Sequence, residues 1–127
     1  SGICIDALDG GPGIKSKRFL QINGDYKKTN KKIIEMIQKR KKTGATFYTV
    51  IALSFKNKTL YFYGKKRGKI VNKPLGNNGF HYDPIFQPIK SKKTYGQMKK
   101  NEKNRISHRY LALKKLISFL NKTNQLL

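Results

Sequence analysis

The apolar positions of this chain fall into a few well-separated groups, and their periods differ. Ile3-Cys4-Ile5-Asp6-Ala7-Leu8 is a short apolar run with strand character, and Asp9-Gly10-Gly11-Pro12-Gly13 breaks it. Residues 14–19 fit one or two helical turns. Over residues 26–40, Ile33, Ile34, Met36 and Ile37 lie near helical spacing among Lys27, Lys28, Lys31, Lys32 and Lys39. This predicts an amphipathic helix, capped by Asp25 or Thr29 and ended by Lys41-Lys42-Thr43-Gly44. Ala45 to Phe55 is β-branched and aromatic without a charge, the strongest strand signal in the chain. A turn at Asn57-Lys58 leads into Leu60–Gly64, so the pair reads as a hairpin, and Gly68–Val71 reads as a third strand. Residues 74–79 form a loop, and residues 94–103 a short helix and turn. From Ser107, the N-cap, Ile106, Tyr110, Leu113, Ile117 and Leu120 recur at spacings of four and three, which predicts a helix with one buried stripe. There is no internal repeat. The order strand, helix, hairpin, strand, helix predicts one α/β unit with a largely antiparallel or mixed sheet.

Composition changes this picture little. The 127 residues suffice for one domain with a modest core. No run approaches the roughly 18 apolar residues of a membrane span. Cys4 is the lone cysteine, which excludes an internal disulfide and a Cys-rich zinc site and suits a reducing, cytoplasmic setting. A net charge of +23 attracts polyanions and keeps a basic nucleic-acid-binding protein open as an alternative. Only five of the 29 basic residues are Arg, however, and Asn, Ile, Tyr and Phe are plentiful. All are residues with AT-rich codons, so codon bias alone accounts for solvated lysines.

Two stretches carry candidate chemistry. Gly79-Phe80-His81-Tyr82-Asp83-Pro84-Ile85-Phe86 combines a glycine, aromatic rings and one of only six acids. It reads either as a strand with core aromatics and an Asp-Pro turn, or as a base-recognition segment with a purine between Phe80 and Tyr82 and Asp83 at its edge. Glu102-Lys103-Asn104-Arg105-Ile106-Ser107-His108-Arg109 is either a charged start to the last helix or an anion and keto-oxygen site, since Lys and Arg are donors only. His108 and Arg109 would stand in the first helical turn, where free N–H groups favour an anion or a carbonyl oxygen. No metal-ligand spacing exists, and the six acids are scattered. The glycines at 10–13 match neither the P-loop nor the dinucleotide fingerprint.

Together with Ser1-Gly2, Asp6-Ala7-Leu8, Gly11-Pro12-Gly13 and Ser16, these two stretches appear in the order and spacing of a known family. The chain resembles the inosine triphosphate pyrophosphatases across essentially its whole length. The resemblance implies an elongated α/β fold with a long mixed sheet, flanking helices and a nucleotide cleft between two lobes. It implies hydrolysis of ITP, dITP and XTP to the monophosphate and pyrophosphate, with Mg2+, in a homodimer, with no specific nucleic acid and no membrane as partner. Carried over position by position, Ser1 touches substrate beside the metal, Phe80 and Tyr82 flank the base, His81 lines the same segment and Asp83 contacts the base edge. Lys103, His108 and Arg109 complete the base pocket. The family's general-base acid stands immediately before the position of Ser1. Residues 1–127 are therefore expected to be the C-terminal two-thirds of a single domain, with no catalytic or metal-binding carboxylate in the chain. A non-catalytic relative is the other alternative. His81 stands where the family usually has Gly, which puts the substrate range in question.

Overall fold

The computed structural model describes residues 1–22 and 24–126. Strand β1 (Gly2–Ile5) runs into a single 3-10 turn at Asp6–Leu8, and the glycine-rich break returns as the two-residue strand β2 (Pro12–Gly13). Helices α1 (Ser16–Ile22) and α2 (Tyr26–Arg40) follow. Strands β3 (Gly44–Phe55) and β4 (Lys58–Ile70) form a long hairpin. A loop, a 3-10 turn at Asp83–Ile85 and strand β5 (Phe86–Pro88) precede a 3-10 turn at Tyr95–Gln97, the short helix α3 (Lys100–Asn104) and the long helix α4 (His108–Leu126). The sheet order is β2-β1-β3-β4-β5, and every neighbouring pair is antiparallel. Among the described residues no helix is long and apolar enough to cross a membrane.

The hairpin differs from its sequence reading in two ways. Its turn is Lys56-Asn57, one residue earlier than expected, with φ of 48° and 63°. Two successive positive φ values mark the type I′ turn, whose twist matches that of the strands it joins. The expected second and third strands are one, because the run Lys65-Lys66-Arg67 continues the ladder opposite Tyr48, Phe47 and Thr46. The lysines are long enough to carry their charges out to solvent and Arg67 pairs with Asp6 at the surface, so the run interrupts hydropathy without interrupting backbone pairing. Along β3, Ala45, Phe47 and Thr49 point into the core while Val50 is exposed. This is the period-two alternation of a strand.

Helix α2 follows its prediction closely. Asp25 accepts from the Lys27 N–H at 2.9 Å and is the N-cap, whereas Thr29 is fully buried inside the helix. Ile33, Ile34 and Ile37 are buried and the five lysines are exposed. The left-handed C-cap is Lys41 (φ 57°) instead of a glycine, and Gly44 opens β3.

Helix α4 starts where expected, with Ser107 Oγ accepting from the Tyr110 N–H at 3.2 Å. Its buried face is not the expected one. Tyr110, Leu113, Ile117 and Leu120 are 37–47% exposed, while Ala112 is fully buried and Phe119 sets its ring against Phe55 and Phe62. The cause lies in β4. A Cβ at Gly64 would overlap the His108 carbonyl and the Ala112 backbone, so glycine there lets the helix lie directly on the strand. The small residue of the helix meets the missing side chain of the strand, and the larger apolar residues turn outward.

Candidate functional site: an aromatic-floored cleft

The turn Phe80–Asp83 is the centre of the site. The Asp83 N–H donates to the Phe80 carbonyl at 2.8 Å, closing a β-turn whose central residues are His81 (φ 43°) and Tyr82 (φ −82°, ψ −12°). A positive φ first and a right-handed residue second is the type II′ pattern, in which glycine normally holds the first position. Asp83 is 3% exposed, and its Oδ2 accepts from the Phe80 N–H at 2.7 Å and from Lys103 Nζ at 2.5 Å. Gly79 (φ 77°) sits so close that a Cβ would overlap that carboxylate. This neighbourhood demands glycine for both its φ and its space.

Lys103 comes from α3. It reaches Asp83 and lies 5.4 Å from the Phe80 ring centre and 5.1 Å from that of Tyr95. The ion pair is nearly dry, with side-chain exposures of 17% for Lys103 and 5% for Asp83. Asp83 therefore fixes the direction of the ammonium in the cleft.

The first turn of α4 supplies the remaining predicted residues. His108 is 4% exposed and stacks on Phe47 with ring centres 4.6 Å apart and planes 6° from parallel. Burial, reinforced by the charges of Arg109 and Lys103, pushes its pKa down to about 3. The imidazole is neutral near pH 7, and its Nδ1 is buried without a hydrogen-bond partner among the described residues. Arg109 is exposed; its Nε donates to Ser1 Oγ at 3.1 Å, which lies 2.8 Å from Thr49 Oγ1.

All eight predicted site residues line one cleft of about 700 Å³. Within it they are not arranged as the sequence reading has them. Phe80 and Tyr82 are not two walls of one slot. Tyr82 is turned inward, 4% exposed, edge-on to Phe47 and donating its hydroxyl to the Ser16 carbonyl at 2.6 Å, while Phe80 is 65% exposed. Burial accordingly raises the pKa of the Tyr82 hydroxyl. Nor is the segment a strand that ends in an Asp-Pro turn: Asp83–Ile85 is a 3-10 turn, and the strand, β5, comes after it, beginning at Phe86. Successive side chains of a tight turn diverge, which separates rings that spacing alone brings together. The flat floor of the cleft is instead the Phe47–His108 stack. Phe47 was invisible as a site residue because it obeys the strand alternation of its neighbours.

Among the described residues there is no cluster of three or more His, Cys, Asp or Glu that could hold a metal ion. Among the described residues the one carboxylate lining the cleft is Asp83, already engaged by Lys103. The described residues do not form a magnesium site.

A parallel-ringed floor, an ammonium held by Asp83 and an arginine at the rim line one cleft of this α/β fold. The chain belongs to the Ham1 family, whose model matches residues 1–119. It is 38% identical over 122 residues to a dITP/XTP pyrophosphatase of Thermoanaerobacter pseudethanolicus, covering 94% of this chain and 62% of the relative. It is 42% identical over 123 residues to a dITP/XTP pyrophosphatase of Halalkalibacterium halodurans, covering 94% and 63%. The Ham1 protein structure from Staphylococcus aureus superposes with a TM-score of 0.88 at 36% identity, covering 96% of this chain and 64% of that one. A HAM1 protein structure from Coxiella burnetii gives 0.87 at 34% identity, with 95% and 64% covered. The chain thus spans just under two thirds of the length of these relatives.

Proposed function

We propose that this chain recognises the base in a pyrophosphatase acting on inosine, deoxyinosine and xanthosine triphosphates, which water splits into the monophosphate and pyrophosphate. The observation that carries this reading is Lys103 Nζ held by the buried Asp83 at the edge of the aromatic floor. A fixed ammonium donates to a 6-keto oxygen and opposes the 6-amino group of adenine. Setting buried donors against donors leaves both unpaired, at about 1–3 kcal/mol each, which is enough to disfavour an adenine nucleotide tenfold or more. His108, neutral and stacked on Phe47, gives that floor an uncharged ring. Arg109 joins Lys103 in the base pocket, Ser1, within hydrogen-bond reach of Arg109, takes the part of the nucleotide beyond the base, and Phe80 covers the outer face of the base. His81, at the first turn position, borders the same space.

In this reading residues 1–127 form part of a single domain of a cytoplasmic, homodimeric enzyme, and Mg2+ is the ion that the reaction calls for. The chemical step is assigned to no described residue of this chain, because the one cleft carboxylate among them is spoken for by Lys103. Calorimetric titration with inosine and adenosine monophosphates tests the reading. Inosine monophosphate is expected to bind at least tenfold tighter. Equal affinity for the two, or salt-sensitive binding to any nucleic-acid duplex without nucleotide preference, would refute it.

A further inference from the structure

Helix α2 reaches the base-recognition turn through a residue that motif reading passes over. Asn30, 2% exposed, donates from Nδ2 to the His81 carbonyl at 2.7 Å. That carbonyl belongs to the peptide between the two central residues of the turn. Its orientation is what separates type II′ from type I′, the form in which both central φ values are positive. The turn holds a histidine at a positive φ that L side chains disfavour. Its backbone in turn presents the Phe80 N–H to Asp83 Oδ2, and Asp83 aims Lys103.

Asn30 is also poorly suited to a purely structural post. Its Oδ1 is buried with no hydrogen-bond partner among the described residues. A buried amide with one side unsatisfied is less favourable than an apolar side chain of similar shape. Its neighbours Ile33, Ile34 and Ile37 are the apolar alternative on the same helix. What Asn30 adds over a leucine is the single bond to His81.

We infer that Asn30 is a positioning residue: its hydrogen bond to the His81 carbonyl holds the Phe80–Asp83 turn in its type II′ form, and so aims the Asp83–Lys103 pair at the base. This inference rests on the proposed function for its nucleotide consequence, but not for its conformational one. Because glycine adopts a positive φ freely, the clamp matters less wherever residue 81 is glycine. Asn30 and His81 are therefore coupled.

The experiment is a double-mutant cycle in the chain with Asn30→Leu and His81→Gly, read by amide hydrogen exchange at Asp83, whose N–H closes the turn. A net hydrogen bond corresponds to roughly a fivefold change in an opening equilibrium. Exchange at Asp83 is expected to quicken about fivefold in Asn30→Leu, and by less than about twofold when the same change is made on top of His81→Gly. The thermal midpoint of Asn30→Leu is expected to stay level or rise, which a structural role would not allow. Equal acceleration in both backgrounds, or none in either, overturns the inference. In a second arm, the affinity ratio of inosine to adenosine monophosphate is expected to fall about fivefold in Asn30→Leu with His81 present. If the exchange pattern appears but the parent chain shows no inosine preference, the clamp stands and the functional reading falls. If the parent prefers inosine and Asn30→Leu leaves both exchange and preference unchanged, the clamp falls and the functional reading stands.

Discussion

His108 makes the stability of this protein depend on pH in a way that can be calculated. Its folded-state pKa is depressed from 6.5 to about 3 by burial first, and then by Arg109 and Lys103. Protons therefore bind the unfolded chain more readily than the folded one. The stabilisation is fully present above the unfolded value and is lost as pH falls toward the folded one. Each pKa unit corresponds to about 1.4 kcal/mol, so at about pH 5 the deficit is on the order of 2 kcal/mol. The Phe47 ring stacked on His108 would return up to about 1 kcal/mol to an imidazolium through its π face. A net loss of about 1–2 kcal/mol between roughly pH 7 and pH 5 remains. His108→Phe keeps a ring on Phe47 and removes the proton site. Urea unfolding of the parent and of His108→Phe at the two pH values gives the comparison. The parent is expected to lose that amount more than the variant. Parallel losses in the two proteins would show that His108 is not buried neutral, and the account of the cleft floor would fail with it.

Other consequences follow from the same contacts. Lys103→Met leaves Asp83 buried with only the Phe80 N–H for company, and is expected to destabilise by about 3 kcal/mol and abolish inosine preference; chemical denaturation and nucleotide titration read the two effects. Tyr82→Phe removes the hydroxyl bonded to the Ser16 carbonyl and should cost about 1 kcal/mol in the same denaturation assay without altering nucleotide preference. Gly79→Ala combines a strained φ with a Cβ that overlaps the Asp83 carboxylate, so a loss of more than about 2 kcal/mol is expected in thermal unfolding. Leu113→Asp lies on the outward stripe of α4 and should change stability by less than about 0.5 kcal/mol; a loss of several kcal/mol would mean that this face is packed after all.

Much of this protein is local, and what is local was legible in the sequence. Helix α2 announces itself by isoleucines at helical spacing and by Asp25, because capping and amphipathicity act within a turn or two of chain. Strand β3 does so through β-branched and aromatic alternation. Ser107 as the start of α4 was readable for the same reason. The eight candidate site residues were readable as three ordered motifs, although not as a geometry. What failed were the choices that only a partner element can make. Helix α4 offers two apolar stripes at equally good helical spacing, and Gly64 on another element selects the one containing Ala112. The β4 strand runs through its lysines because β3 supplies the backbone bonds, which hydropathy does not register. In the cleft, Tyr82 turns inward to Ser16, Phe47 becomes the floor under His108, and Asn30 meets His81 from 51 positions away. Spacing along the chain marked eight residues that line the cleft, but not Phe47 beneath it. The directions in which they point were decided by which hydrogen bonds and rings the fold brings up against them, and no period in the sequence encodes those long-range contacts.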